Sequence, residues 1–333
     1  MLTYAVRRIA AALPVLLLVA TISFVIVRLI PGDPATLMLG PGATRDQIAA
    51  LREQLGLDRP LIVQYLEYVY GLARGDLGNS AKTRRPVTEE IAQRLPATVE
   101  LAVAATLVAV PLGVAFGTLT ALRRNSVWDH LGRIIALLGV SVPVFWLALA
   151  AQLVLALWLD LLPVSGRISA ESGAVGGTGF VVVGALLHGD LGRLADAVSH
   201  LVVPSLVLGA FLTATVSRMA RAALLDVLAD DYIRTARAKG LSAVRVIGGH
   251  ALRNALLPVL TITGLKFAEL LSGAVLTETI FAWPGLGRYM YEAITGRDYA
   301  VVQGTTVLFA TVYVLVLLAV DLSYGLLDPR VRR

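Results

Sequence analysis

Residues Ile9–Ile30 read IAAALPVLLLVATISFVIVRLI, with a single charge, Arg28, near the far end. A helix needs about 20 mostly apolar residues to cross the hydrocarbon of a bilayer, so this run is expected to span a membrane. It has no small-residue cleavage site at a suitable distance, and Arg28-Leu29-Ile30-Pro31 follows instead, so we expect a retained span rather than a signal peptide. The whole chain shares this character. Of its 333 residues, 57 % are hydrophobic and 16 % charged, and the mean hydropathy is +0.76. A soluble domain carries about 45–50 % apolar and about 25 % charged residues, so there is too little polar surface for a soluble fold and too much apolar content for disorder. With no cysteine, disulfide frameworks, thiolate metal sites and cysteine catalysis are excluded.

Five more runs are long and apolar enough to cross: about Ala97–Leu122, Ile134–Leu159, Leu201–Met219, Leu256–Leu276 and Val301–Leu322. Phe180–Leu187 is too short and is expected in a loop at the membrane interface. The fold class is therefore all-α integral membrane with six transmembrane helices. An even count puts both termini on one side. Arg7 and Arg8, Arg123, Arg124 and Arg133, the seven basic residues from Arg218 to Arg253, and Arg330, Arg332 and Arg333 share that side, 15 basic residues in all. The two short opposite connections hold only Arg167, Arg193, Arg288 and Arg297. Basic residues favour the cytoplasmic side, so both termini are expected in the cytoplasm. The net charge of +6 then records topology, not nucleic-acid binding.

The division we expect is an N-terminal helix over residues 1–30, an extracytoplasmic helical loop over 31–95, a five-helix core over 96–325 containing a cytoplasmic loop at 220–257, and a cytoplasmic tail over 326–333. Within the outer loop, Thr44-Arg45-Asp46-Gln47 reads as a capping box, Ile48, Leu51 and Leu55 share a helical face, and Gly56 is a stop. Pro60 suits the first position of a second helix, Leu61 to about Leu72. Together these helices should form a cap on the outer face.

The chain shows no source of energy or chemistry of its own. It has no G-x-x-x-x-G-K-[ST] loop for nucleotide phosphates, no H-E-x-x-H and no G-x-S-x-G. His130, His188, His200 and His250 are scattered and read as loop or interfacial residues, and no metal site is expected. Lys266 and Glu269, three residues apart in the fifth span, share a face and can pair. They are either a polar wall of a translocation path or a neutralised structural pair. Asp321 should contact the interface or another helix. Gly113-x-x-x-Gly117 permits close helix approach.

The longest cytoplasmic connection carries Asp231-Tyr232-Ile233-Arg234-Thr235-Ala236-Arg237-Ala238-Lys239, a helix-favouring run stopped by Gly240. Leu241-Ser242 opens a second helical stretch through Val244, Val246 and Ile247, and Arg253-Asn254-Ala255-Leu256-Leu257-Pro258 leads back into the membrane. Such a basic, partly apolar knob can enter a groove on a cytoplasmic partner. The run to Gly240 with its following Pro258 resembles the E-A-A-x-x-x-G … I-x-L-P signature of ATP-binding-cassette importer permeases. Arg234 and Thr235 stand at its Glu and first Ala positions, and Ala255 at its Ile position. The Tyr232–Leu241 form is similar to that of the dipeptide/oligopeptide/nickel branch. Leu29-Ile30-Pro31-Gly32-Asp33-Pro34, Gly75-Asp76-Leu77-Gly78-Asn79-Ser80, Glu278 to Gly287, Arg297-Asp298-Tyr299 with Val302-Gln303-Gly304, and Asp328-Pro329-Arg330 also resemble that branch. The large loop after the first span is similar to that of its B-type subunits.

The resemblance implies a transport subunit of a bacterial inner membrane, not an enzyme. It would form half of a peptide translocation path beside a second, homologous permease. Two cytoplasmic ATPase subunits would bind ATP and Mg, and an extracytoplasmic binding protein would deliver substrate; this chain itself would need no cofactor. Tyr232, Arg234, Thr235, Ala236, Lys239, Gly240 and Leu241 would dock on an ATPase, and Lys266 and Glu269 would face the path. An importer of nickel or another small chelate is the neighbouring alternative. A stand-alone proton-coupled carrier using Lys266 and Glu269 would need inverted repeats, and a membrane enzyme a cluster of acid, base or metal ligands; neither pattern is present. A non-transporting scaffold leaves the motif set without a purpose.

Overall fold

A computed structural model describes residues 2–29, 33–40, 42–54, 56–170 and 179–327. Leu55, Ile30 to Gly32 and Asp328 to Arg333, all used in the sequence reading, lie outside these residues. The described chain is helical, and its one β-bridge joins Asn79 to Pro86. Five continuous helices are long and apolar enough to span, and a sixth crossing exists if one bent pair counts as a single span.

The first helix, α1 (Leu2–Leu29), is followed by α2 (Pro34–Leu39), α3 (Arg45–Gln54) and α4 (Leu61–Ala73). Asp33 caps α2 by accepting from the Thr36 amide. The expected capping box starts α3: the Thr44 amide donates to Gln47 Oε1 (2.9 Å) and the Gln47 amide to Thr44 Oγ1 (3.3 Å). Pro60 is the N-cap of α4, one position earlier than expected. Of these helices, α4 packs on α1.

The core is built on α5 (Val87–Leu122) and α9 (Leu191–Leu228), which make the most extensive helix contact in the molecule. The reason is Gly113-x-x-x-Gly117. A Cβ on Gly113 would lie 2.7 Å from Val216 Cγ1, and one on Gly117 would lie 2.5 Å from the Ser217 carbonyl oxygen. Backbone therefore meets backbone, and the helices gain dispersion contacts where apolar lipid offers no hydrophobic drive. Both helices outrun the apolar windows that located them. Their ends carry polar residues that are themselves helical, including His200, which is buried on α9 against Asp196 (Nδ1–Oδ1 3.2 Å) and is no loop residue.

The expected continuous third span is instead two helices, α6 (Val127–Ser141) and α7 (Val144–Ala151), bent by 99°. Pro143 is the cause: it disfavours the helical region for the residue before it, and Val142 is extended at φ −74°, ψ 124°. A π-helical stretch, Gln152–Trp158, continues α7. Phe180–Leu187 falls on α8 (Val181–His188), an eight-residue helix packed against α9. Gly189, left-handed at φ 66°, ends α8, and the Asp190 side chain caps α9 by accepting from the Arg193 amide.

After α9 come α10 (Asp231–Ala238), α11 (Ala243–Arg245), a π-helical turn (Val246–Ala251) and α12 (Leu252–Leu271). The expected fifth span ran to Leu276, but Gly273 at φ +104° breaks the helix, and α13 (Val275–Ile280) and α14 (Leu286–Thr295) follow. The last helix, α15 (Tyr299–Leu327), packs on α1 and α12. Asp321 pairs with Arg8 of α1 at 3.0 Å, which answers the expectation that it contacts another helix.

The close approach at Gly117 yields a test. Gly117→Ala forces atoms apart, and overpacking costs about 1–3 kcal/mol. The apparent Tm of the detergent-purified protein should fall, whereas Gly184→Ala on α8, whose Cβ would meet nothing within 4 Å, should leave it unchanged or raise it.

Candidate functional site

The segment from α10 to α12 forms a knob at the end of the bundle that also carries Arg123, Arg133 and Arg221. Ile233 and Ala236 face inward and join Ala121 of α5, Ala223 and Leu224 of α9, Val246 and Ala251 of the π turn and Ala255 of α12 in one apolar cluster. Leu241 packs on the cluster's edge. Tyr232, Arg234, Thr235 and Lys239 are exposed. Tyr232 accepts a hydrogen bond at its hydroxyl from Asn254 Nδ2 (2.7 Å), which ties the exposed face of α10 to the start of α12. Arg234 pairs with Asp231 one turn away, and Thr235 Oγ1 donates to the Asp231 carbonyl.

Gly240 ends α10 in the left-handed region, at φ +76°. Its amide donates to the Arg237 carbonyl (3.0 Å) and the Leu241 amide to the Ala236 carbonyl (3.4 Å). This is the paired arrangement that closes a helix C-terminus around a left-handed residue, with Leu241 completing the apolar contact. A Cβ on Gly240 would meet nothing within 4 Å, so glycine is required by the backbone angle and not by crowding. Of the seven residues expected to act together, four form the outer face, Ala236 and Leu241 anchor it, and Gly240 turns it.

Lys266 and Glu269 lie on α12 as expected and pair with each other, Nζ to Oε1 at 2.9 Å and to Oε2 at 2.7 Å. Lys266 Nζ also stands 5.3 Å from the centre of the Phe211 ring, within reach of a cation–π attraction. Among the described residues no group of three or more His, Asp or Glu could hold a metal ion.

At the opposite end, motifs far apart in sequence assemble. Asp298 is buried; it accepts from Ser80 Oγ (2.6 Å) and the Lys82 amide (3.2 Å). A Cβ on Gly304 would sit 3.1 Å from Leu77 Cβ. The Glu278–Gly287 stretch folds around its own first residue. Glu278 is 0 % exposed, and its carboxylate accepts from Thr98 Oγ1 (2.9 Å) and the Arg288 amide (2.9 Å) at the N-terminus of α14. Thr98 Oγ1 accepts in turn from the Leu286 amide (2.8 Å), and Trp283 Nε1 donates to the Ala97 carbonyl (2.8 Å). A Cβ on Gly285 would lie 2.4 Å from the Glu278 carboxyl carbon, so only glycine fits. Burial pushes the Glu278 carboxyl above the ordinary glutamate range, against the pull of these donors.

Residues 113–333 match the family described as binding-protein-dependent transport system inner membrane component, and residues 1–102 match the N-terminal region of such membrane components. The chain belongs to this family. It is similar over its full length to the dipeptide transport system permease protein DppB of Escherichia coli (strain K12), with 45 % identity over 338 residues covering 100 % of this chain and 99 % of the relative. The di/tripeptide transport system permease protein DppB of Pseudomonas aeruginosa (strain UCBPP-PA14) is 46 % identical over 333 residues, with 100 % and 99 % covered. The glutathione transport system permease protein GsiC of Salmonella typhimurium (strain LT2) is 40 % identical over 332 residues, with the same coverage. The permease is thus of DppB type, a multi-pass inner-membrane component with no catalytic role of its own.

Two ion pairs built on the buried carboxylates Asp129 and Glu100 were not marked by any local pattern in the sequence. Asp129, fully buried, accepts from Arg221 Nε (2.8 Å) and Nη2 (3.0 Å) and fastens α6 to α9. Glu100 accepts from Arg167 Nη2 (2.6 Å) and the Val182 amide (2.9 Å), which fastens α5 to the start of α8. Their partners are dozens of residues apart, so no local spacing marks them.

The Glu278 junction predicts a pH dependence with a definite sign. A carboxyl whose folded pKa is raised binds its proton more tightly when folded. Stability is therefore greatest below the ordinary glutamate pKa and declines as pH rises from there through the folded value. Tm measured against pH should show this decline in the wild type, and Glu278→Gln should flatten it.

Proposed function

We propose that this permease is one half of an ATP-driven importer of small peptides, in which α10 and the Gly240 turn receive the motion of a cytoplasmic ATPase. The observation that carries the reading is the knob itself. Its outer face displays Tyr232, Arg234, Thr235 and Lys239, while Ile233 and Ala236 plug into a cluster shared by α5, α9 and α12. A force on the outer face therefore reaches three spanning helices at once, which suits rigid-body rocking between inward- and outward-facing states. ATP and Mg belong to the partner ATPases. A second permease would complete the path, and a binding protein on the far side would deliver substrate. The asymmetry in basic residues supports a cytoplasmic location for the knob and for both termini. The relatives' names support small peptides as cargo.

Replacement of Gly240 tests the coupling role. The left-handed conformation costs a residue with a Cβ about 1–2 kcal/mol, and asparagine tolerates it best. With no atom near the missing Cβ, Gly240→Asn should import labelled dipeptide almost normally, while Gly240→Val at equal abundance should lose most uptake. Equal uptake by the two variants would count against the role.

We also propose that Lys266 and Glu269 line the path, where a paired cation and anion could meet the two ends of a zwitterionic peptide. Lys266→Ala with Glu269→Ala should lower uptake several-fold while the ATPase subunits still copurify. Exchanging the two charges, Lys266→Glu with Glu269→Lys, should not restore transport if the groups meet substrate, and should restore it if they only neutralise each other.

A further inference from the structure

We propose that α4 is an interfacial helix whose outward face is seated in the acyl chains of the leaflet next to the C-terminal half of α1. Of its thirteen residues, only Gln64 and Glu67 carry strongly polar side chains, yet none of the thirteen is buried within the chain. Ile62, Leu66 and Tyr70, spaced four apart on one stripe, are 63 %, 59 % and 56 % exposed. A helix apolar nearly all round is normally covered on every side, and this one is covered on one side only.

The depth of α4 is fixed by what it touches. The hydroxyls of Thr21 and Tyr65 are 2.7 Å apart. The Phe24 ring meets the rings of Tyr65 and Tyr68 at centroid distances of 5.4 and 5.6 Å. Arg28 Nη2 donates to Gln64 Oε1 at 2.9 Å. All three partners lie within the apolar crossing Ala10–Leu29. Thr21 is about 12 Å inside its end, at about 1.5 Å per residue. A helix held at that depth lies below the level of bulk water.

Continuity with the lipid-facing side of α1 identifies the occupant. Leu18, Ile22, Ile26 and Leu29 of that span are about half or more exposed, so the stripe on α4 adds to the exposed apolar surface of a helix long and apolar enough to cross a bilayer. The polar groups sit where an interfacial helix needs them. Arg59, just before α4, reaches Glu67 at its middle, and Arg74 at its C-cap lies over the Tyr70 ring at 4.1 Å. Arginine favours the headgroup level, and its long side chain reaches there while its stem lies along a ring seated in the chains. The lipid-seated face would anchor the loop against the membrane plane, leaving α2 and α3 as its water-facing part.

The absence of native cysteine makes a direct test possible. Single cysteines at Ile62, Leu66, Tyr70 and Glu67, with Ile22→Cys as a lipid-facing reference, would each carry a nitroxide spin label. The full transporter would be reconstituted in nanodiscs of phosphatidylethanolamine and phosphatidylglycerol, and only transport-active samples scored. Collision with molecular oxygen and with a water-soluble nickel chelate is then measured. Labels at Ile62, Leu66 and Tyr70 should match Ile22, with an oxygen-to-chelate ratio several-fold above that at Glu67. High chelate access at two of the three would show the face in water and overturn the proposal. Low access to both reagents would show a protein covering it, a second copy or another subunit, and would overturn it equally.

Discussion

The contact between α5 and α9 is the constraint on which the remaining structure hangs. Inside a membrane, apolar side chains gain little by leaving lipid for protein, so helices associate through close packing. Gly113, Gly117 and Gly209 remove the Cβ atoms that would hold these two backbones apart; a Cβ on Gly209 would already crowd the Ala105 carbonyl at 3.2 Å. The 38 residues of α9 extend roughly 57 Å at about 1.5 Å per residue, longer than the hydrocarbon is thick. One rigid pair therefore reaches from one aqueous boundary to the other.

What is attached at the two ends gives that rigidity a purpose. At the basic end, Asp129 and Arg221 lock α6 to α9, and α10 plugs into the cluster beneath. At the other, Glu278 reads the N-terminus of α14 and reaches Thr98 of α5, while Glu100 and Arg167 hold α8 and the preceding loop. Burying a charge is costly unless it is paired and hydrogen-bonded, and each of these has several partners. Charged groups of this kind resist small adjustments, so each end moves as a unit with the helix pair. Under the proposed coupling role, a displacement imposed on the Gly240 turn would be carried across the membrane instead of being absorbed locally.

Much of this was legible from residue order because the signals were local. Hydropathy located the crossings, the Thr44–Gln47 spacing located the start of α3, the Gly113–Gly117 spacing marked a place where helices can approach closely, and the three-residue separation of Lys266 and Glu269 allowed their pairing. Gly240 marked the end of α10 because a left-handed residue was needed there. The failures have physical reasons too. Pro143 was hidden inside an apolar run, and a hydropathy window does not see that the residue before proline leaves the helical region. The ends of α9 were missed because its terminal turns are polar. Thr98 with Glu278, Glu100 with Arg167 and Asp129 with Arg221 pair across 180, 67 and 92 positions, beyond any periodicity.

Whether the knob at α10 is gripped by a separate ATPase can be read from proximity. In this cysteine-free chain, single cysteines at Tyr232, Lys239 and Val244 can be combined with cysteines along the groove of the copurified ATPase and oxidised in membranes. A disulfide-linked adduct of permease and ATPase is expected at one or more of these positions, with a yield that changes when ATP is added. No adduct at any position, together with labelling of the same cysteines by an impermeant maleimide from outside the cell, would contradict it.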